Sequence, residues 1–180
     1  WEGDTNGQQD IFIAKMSDPK SISGKRVKIS SPTYPWERNG DLGTDGNPEQ
    51  VFVNEGPQFL EHDGKLFIVF SASGCWTDFY ALGLLSLAGT DPMDASAWTK
   101  KEEPIFQQTP ENGVYAPGHN SFFKSPDGTE DWILYHANSN PGEGCGNKRA
   151  PRMQRLYWNE DGTPFIGTPL PTTVLLPIPS

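Results

Sequence analysis

The sequence has few of the features that mark several large classes of protein. It contains only two cysteines, Cys75 and Cys145, in 180 residues, too few for a disulfide scaffold. No run of about 18 apolar residues occurs, so no membrane-spanning helix is predicted. Lysine and arginine total 14 against 23 acidic residues, and the net charge is −9. This balance argues against nucleic acid or an anionic membrane as a partner.

Long uninterrupted segments are also missing. The 19 glycines and 17 prolines make up 36 of the 180 residues, against roughly 12% in average proteins. The longest segment without proline, 58–91, is broken by Asp63-Gly64 and Ser73-Gly74. Glycine and proline interrupt regular backbone, which excludes a helical bundle, while the 12% aromatic content supplies a core. We therefore predict many short elements joined by turns.

The apolar residues that are present follow a strand pattern. Residues 10–16 form a mostly buried strand, and 27–30 alternate as a half-exposed strand. A hairpin spans 58–70, because Asp63-Gly64 suits the positive φ angles of a tight turn. A second hairpin spans 121–136 around Asp127-Gly128, 64 residues after the first Asp-Gly pair.

These hairpins belong to a repeating unit. Each is followed by a strand, at 80–87 and 153–158, and then by a proline-containing segment, at 103–106 and 167–170. A four-stranded antiparallel unit that recurs every 60–70 residues is typical of a β-propeller blade. A two-sheet sandwich is the alternative, although it needs turns at closer and more even spacing. We predict an all-β propeller.

The number of units does not complete a propeller. About two and a half units fit into the sequence, whereas propellers close with typically 4–8 blades. The sequence also opens at Trp1, without a methionine or a signal segment. We expect a processed product or a fragment, with blades missing upstream.

Glu55 and His119 are candidate functional residues at equivalent places in two units. Inner strands of a propeller line its channel, where the partly desolvated Glu55 carboxyl can act as a general acid. His119 can bind a substrate or a metal there. The alternatives are an exposed turn carboxylate and a structural histidine. No metal-ligand spacing surrounds His119, and His136 is interpreted as a hydrogen-bonded core histidine.

Other residues fit sugar recognition. Arg152 lies in a cluster with Arg149 and Arg155, and its guanidinium can hold sugar hydroxyls or remain a solvated charge. Aromatic rings in turn-rich segments can stack on sugars, although packing between blades also explains them: Tyr34, Trp36, Trp76, Phe79 and Tyr115. The glycine-containing polar segments 4–9 and 40–48 are predicted loops. Cys75 and Cys145 form either one disulfide or two buried thiols.

Five ordered motifs resemble glycoside hydrolase family 43, the five-bladed propeller arabinofuranosidases, xylosidases and arabinanases. The resemblance runs through essentially the whole sequence. Its motifs are Ile11-Phe12-Ile13-Ala14-Lys15-Met16 with Asp18-Pro19, Tyr34-Pro35-Trp36-Glu37, Asn54-Glu55-Gly56-Pro57, Ala116-Pro117-Gly118-His119-Asn120-Ser121-Phe122, and Arg152-Met153-Gln154 before Trp158-Asn159-Glu160-Asp161-Gly162. It implies that the chain supplies roughly the last three of five blades: 1–50 the end of blade II, 51–114 blade III, and 115–180 blade IV with a closing segment.

The resemblance also implies roles for individual residues. Glu55 is the general acid, Arg152 binds the sugar, and Trp36, Trp76 and Tyr115 are further substrate-binding residues. His119 is the axial histidine that faces a calcium ion or a water cluster, with no cofactor required for the chemistry. Cys75 and Cys145 lie in loops that match those of secreted arabinofuranosidase-like members, which implies a disulfide and an extracellular location.

The expected function is inverting removal of α-L-arabinofuranosyl residues from arabinan or arabinoxylan. In the family, a base Asp activates water and a second Asp tunes the acid, and both precede residue 1 of this sequence. We therefore expect the chain alone to be inactive and to need an N-terminal propeller fragment. A β-xylosidase or endo-arabinanase activity and a non-catalytic sugar-binding propeller are the alternatives.

Overall fold

The computed structural model describes residues 1, 3, 8–40 and 52–180. The predicted loops at 4–9 and 40–48, and the predicted blade boundary at 50/51, lie largely outside them. The described strands are β1 (Ile11–Asp18), β2 (Ser21–Ser30), β3 (Asn54–His62), β4 (Lys65–Ala72), β5 (Ala81–Leu87), β6 (Trp98–Lys100), β7 (Tyr115–Lys124), β8 (Asp131–Asn138), β9 (Ala150–Trp158) and β10 (Pro164–Phe165). Three short 3-10 helices accompany them in these residues, at Pro35–Arg38, Ala95–Ala97 and Pro110–Asn112. No described helix has the length and hydropathy needed to cross a bilayer.

The strands form two four-stranded sheets and one ribbon. The sheet orders are β3-β4-β5-β6 and β7-β8-β9-β10, with antiparallel neighbours throughout, and β1 pairs with β2. We call the first sheet the 54–100 blade and the second the 115–165 blade. The first strand of the second blade, β7, packs against β3, β4 and β5. The predicted recurring four-stranded unit is therefore confirmed.

Turn chemistry sets the register of the first hairpin. Asp63 and Gly64 have φ angles of 49° and 75°, the two positive values that a type I′ turn requires. The second hairpin has a longer connection, in which the Ser125 N–H donates to the Glu130 carbonyl and the Gly128 N–H to the Ser125 carbonyl. Both hairpins place their first strand beside the neighbouring blade.

Two apolar clusters hold the sheets together. The larger one lies between the two blades and includes Phe67 and Leu82 from one blade and Ile133 and Leu156 from the other. The smaller one packs the β1–β2 ribbon on the 54–100 blade, and its buried residues are Ile11, Ile29, Phe70, Ala72, Leu85 and Trp98. Burial of such side chains stabilises the fold by about 1.5–3 kcal/mol each.

The first strand differs from its sequence interpretation. Only Ile11 is fully buried in β1, and every residue from Lys15 to Asp18 is exposed. The prediction of a mostly buried strand was wrong, because the far half of the ribbon extends past the 54–100 blade. Its apolar residues there, such as Met16 and Ile22, lie 56% and 69% exposed.

Candidate active site

Glu55 lies at the start of β3, opposite Ser71 of β4. The pairing is irregular between Glu55 and Gln58, where Gly56 takes a φ of 56°. A β-carbon at Gly56 would lie 3.3 Å from the His119 ring and would also be strained at this φ. Glycine at position 56 therefore lets β3, the strand that carries Glu55, bulge and approach the neighbouring blade closely.

Glu55, Tyr80 and His119 meet across the two blades. The Tyr80 hydroxyl donates a 2.7 Å hydrogen bond to Oε1 of Glu55 and lies 3.2 Å from Nδ1 of His119. Nδ1 of His119 is 3.9 Å from the same carboxyl oxygen. The Glu55 side chain is 15% exposed and that of His119 is 40% exposed. The predicted pairing of Glu55 with His119 at one site is consistent with this geometry.

The backbone around His119 is unusual. Ala116 and His119 have φ angles of 49° and 50°, a region that non-glycine residues rarely occupy. The His119 N–H donates a 2.8 Å hydrogen bond to the Ser71 hydroxyl of the other blade, which holds this conformation. Such strained residues cluster at binding and catalytic sites.

His136 and Arg149 complete the cluster. The His136 ring stacks on Tyr80 with ring centres 6.2 Å apart and lies 6.0 Å from the His119 ring. The Arg149 guanidinium contacts Nε2 of His136 and lies 5.7 Å from the Tyr80 ring centre. His136 has the hydrogen-bond partner expected of it, in Arg149, but it is half-buried beside the cluster and its Nδ1 is buried without a partner in the described residues.

Burial and charge set the protonation states of the cluster. Burial, reinforced by the Arg149 and His119 charges, lowers the pKa of His136 to about 4, so the ring is neutral at neutral pH. Burial and the Glu55 charge raise the pKa of Tyr80 well above its usual value, so its hydroxyl keeps its proton. Burial lowers the pKa of Arg149, although an arginine stays charged in proteins. Arg149 therefore places a permanent positive charge beside Tyr80 and His136.

A disulfide covers the same end of the two blades. Cys75, between β4 and β5, is bonded to Cys145, between β8 and β9. The Gly142 N–H also donates a 2.8 Å hydrogen bond to the Asp78 carboxylate, which joins the same two loops. The disulfide implied by the family resemblance is therefore present, and it links the loops that lead into Tyr80 and Arg149.

The structure shows partners other than the Glu55 carboxyl for two of the predicted substrate residues, Trp36 and Arg152. The Trp36 N–H donates to the Glu102 carbonyl, and its ring lies 6.4 Å from that of Phe70 in the ribbon–blade packing. Arg152 donates to the Asn138 carbonyl and to the Ser139 hydroxyl at 3.2 and 3.0 Å.

The two remaining aromatic candidates lie at loop and strand ends. The Trp76 N–H donates to the Gly40 carbonyl at 3.2 Å. Tyr115 opens β7 opposite Asn138. Their sugar contacts stay predictions.

The residues around His119 do not form a cation cage. Within the described ranges, no group of three or more histidine, cysteine, aspartate or glutamate side chains could hold a metal ion. Nδ1 of His119 is already directed at the Tyr80 hydroxyl. The calcium implied by the resemblance therefore has no protein-built site in this part of the chain, and no chemical step is assigned to it.

The carboxyl of Glu55 is arranged to transfer a proton. One oxygen, Oε1, accepts the Tyr80 hydrogen bond, and among the described residues none donates to Oε2. A carboxyl with one oxygen anchored and one open can present its proton to a bound group. A partly buried carboxyl on the inner strand of a propeller is suited to general acid catalysis.

Comparison with known proteins identifies the class. The α-L-arabinofuranosidase of Lactobacillus brevis matches the structure with a TM-score of 0.80 and 34% identity, over 92% of this chain and 49% of that one. An extracellular exo-α-(1→5)-L-arabinofuranosidase of Streptomyces avermitilis is 42% identical over 89% of the chain. Alpha-L-arabinofuranosidase 43 of Humicola insolens is 37% identical over 92% of it. The fold is that of part of the β-propeller domain found in these glycosidases.

The family follows from the sequence match. The model of glycosyl hydrolases family 43 matches residues 1–164, and the chain belongs to this family. The chain spans about a third of the length of the two curated relatives, 32% and 34%, and about half of the Lactobacillus structure. The predicted all-β propeller architecture, present here in part, is confirmed.

Proposed function

We propose that this chain is the acid-carrying part of an inverting glycosidase that removes α-L-arabinofuranosyl residues from arabinan and arabinoxylan. The observation that carries the proposal is the position of the Glu55 carboxyl, 15% exposed and hydrogen-bonded through one oxygen. Membership of family 43 and the arabinofuranosidase relatives support this activity and this sugar.

Glu55 performs the acid half of the reaction. Its proton moves to the glycosidic oxygen as the bond from the sugar carbon to that oxygen breaks, and the electron pair stays with the leaving group. A carboxylate on the opposite face of the sugar takes a proton from the attacking water. In inverting enzymes the two carboxyl groups stand roughly 6.5–9.5 Å apart to admit this water.

The chain needs a base from elsewhere. In the described residues no second carboxylate contacts Glu55, and Glu37, another acidic residue of the family motifs, is fully buried against Lys100. Asp10 is 1% exposed and bonded to Lys28. We infer that the base and the tuning aspartate come from an N-terminal propeller fragment and that the chain alone is inactive.

The 115–165 blade has a surface that suits that fragment. One face of the 115–165 blade packs on the 54–100 blade. The opposite face carries five large apolar side chains that are between 36% and 52% exposed. Strand register puts them together: Leu134 pairs with Met153, and Tyr157 with Phe165. The five residues are Phe123, Leu134, Met153, Tyr157 and Phe165. A further blade would bury them as the first two blades bury each other.

The remaining features are consistent with a secreted polysaccharide hydrolase. The Cys75–Cys145 disulfide fits an oxidising compartment, and the Streptomyces relative is named extracellular. Plant polysaccharide or its oligosaccharides would bind at the end of the blades where Glu55 lies. The reaction needs no cofactor.

The test compares Glu55→Gln with a control in the complete protein. Glu61 lies exposed at the far end of the same strand, so Glu61→Gln is the matched control. Glu55→Gln should lower kcat/KM for natural arabino-oligosaccharides by a factor on the order of 10²–10⁴. Activated aryl arabinofuranosides need less protonation and should lose much less. Equal losses on both substrates, or normal activity, would contradict an acid role.

A further inference from the structure

We propose that Tyr80 is a positioning residue for the acid, which fixes the Glu55 proton on the outward oxygen, Oε2. This inference rests on the proposed function for its catalytic meaning. Its structural basis is the short hydrogen bond from the Tyr80 hydroxyl to Oε1 of Glu55, 2.7 Å long. The contact crosses from the start of β5 to the start of β3, within one blade.

The direction of the hydrogen bonds follows from the number of protons. The Tyr80 hydroxyl has one proton, and a carboxylate only accepts. The hydroxyl therefore donates to Glu55 and accepts from Nδ1–H of His119, 3.2 Å away. The resulting chain runs from His119 through Tyr80 to Glu55, and each bond polarises the next. When Oε1 accepts this bond, the acidic proton resides on Oε2.

Tyr80 is held in place by packing on every side of its ring. The residue is fully buried, and a β-carbon at Gly118 would lie 2.2 Å from the ring. His136 stacks on it and Arg149 lies near its face. A hydroxyl on a ring this constrained has little freedom to leave the carboxyl, which is what a positioning residue requires.

The hydrogen bond persists through proton transfer. After the proton leaves Oε2, Glu55 is a carboxylate, and the bond from Tyr80 stabilises that charged form. The bond is therefore made before and after the transfer, and it keeps the carboxyl in one orientation throughout. Loss of the hydroxyl should leave the carboxyl free to rotate and to carry its proton on either oxygen.

The experiment uses Tyr80→Phe in the complete protein, with Tyr135→Phe as the matched control. Tyr135 is also buried, at 2% exposure, and its hydroxyl bonds to Oε1 of Gln154 in the core. Each variant keeps its ring and loses one buried hydroxyl, so effects on folding are comparable. The first readout is the carbon-13 chemical shift of the Glu55 carboxyl at one fixed pH. The second is the division of the rate loss between kcat and KM on substrates with poor and with good leaving groups.

Tyr80→Phe should move the Glu55 carboxyl resonance, and Tyr135→Phe should leave it unchanged. Tyr80→Phe should also lower kcat about tenfold for substrates with poor leaving groups, with KM little changed, and should lower it much less for aryl arabinofuranosides. An unchanged carboxyl resonance in Tyr80→Phe, or equal rate losses in the two variants, would reduce Tyr80 to a structural residue and overturn the proposal. If Glu55→Gln leaves hydrolysis intact, the proposed function fails, but the resonance still decides whether Tyr80 controls the carboxyl.

Discussion

The buried ion pair of Glu37 and Lys100 supports the strand that carries Glu55. Glu37 is completely buried, and both of its oxygens lie within 2.9 Å of Nζ of Lys100. The Asn54 amide, next to Glu55, also donates to Glu37 at 3.1 Å. Burial lowers the pKa of Lys100, opposed by the Glu37 bonds and charge. The side chain of Lys100 is only 13% exposed, so water cannot replace it readily.

Lys100→Met should therefore leave an uncompensated buried carboxylate. Removing one partner of such a pair costs about 3–5 kcal/mol. Glu37 keeps backbone hydrogen bonds from Thr33 and Tyr34, so we expect about 3 kcal/mol. Urea unfolding followed by tryptophan fluorescence measures this loss. Glu37→Gln combined with Lys100→Met should recover part of it, because no buried charge remains.

Lys124→Met is the control for this prediction. Lys124 is bonded to Asp131 at 2.7 Å, but its side chain is 65% exposed. An exposed ion pair contributes about 0.2–1 kcal/mol. If Lys100→Met costs no more than Lys124→Met, the reasoning that burial makes the Glu37 pair essential is refuted.

Three further perturbations are expected to act on the site through its surroundings. Replacing both Cys75 and Cys145 by alanine should cost about 2–5 kcal/mol, since the bond spans 70 residues; a change in urea midpoint equivalent to under 1 kcal/mol would contradict this. Gly118→Ala should displace the Tyr80 ring and cost about 1–3 kcal/mol, whereas Gly146→Ala, whose β-carbon would lie 4.0 Å from its nearest neighbour, should be nearly neutral in the same unfolding assay. The folded-state pKa of His136, about 4, is below its unfolded value of 6.5, so its stabilising contribution is lost as pH falls through this window. His136→Gln should flatten the decline in thermal stability between about pH 6.5 and 4, and an unchanged slope would refute the assignment.

Local patterns predicted the hairpins and their turns. Asp63-Gly64 lies in the tight turn because both positions need a positive φ. The Asp-Gly pair is typical of such turns, so the residue types alone indicated this one. Recurrence of the hairpin then predicted the four-stranded unit. The ribbon was predicted less well, since the apolar residues of β1 do not reveal where the neighbouring blade ends.

The site could be predicted only in part. Glu55 and His119 were recognised because each opens a unit at an equivalent place. Tyr80 was not, although it directly precedes the apolar strand β5, and Arg149 was noted only as a member of the arginine cluster. The contacts of Tyr80 with Glu55 and Arg149 join residues 25 or more positions apart, and no sequence periodicity indicates such a pairing. The polar character of Arg149 fits an exposed residue equally well.

We propose that this chain carries the acid of a glycosidase and that the base comes from the remaining propeller blades. The most direct measurement is the hydrolysis of an aryl α-L-arabinofuranoside by the 180-residue chain alone and after mixing with the remaining propeller blades. We expect no turnover by the chain alone and turnover after mixing, abolished by an aspartate substitution at the water-activating position of the added blades. Turnover by the isolated chain at the rate of the complete enzyme would contradict the claim.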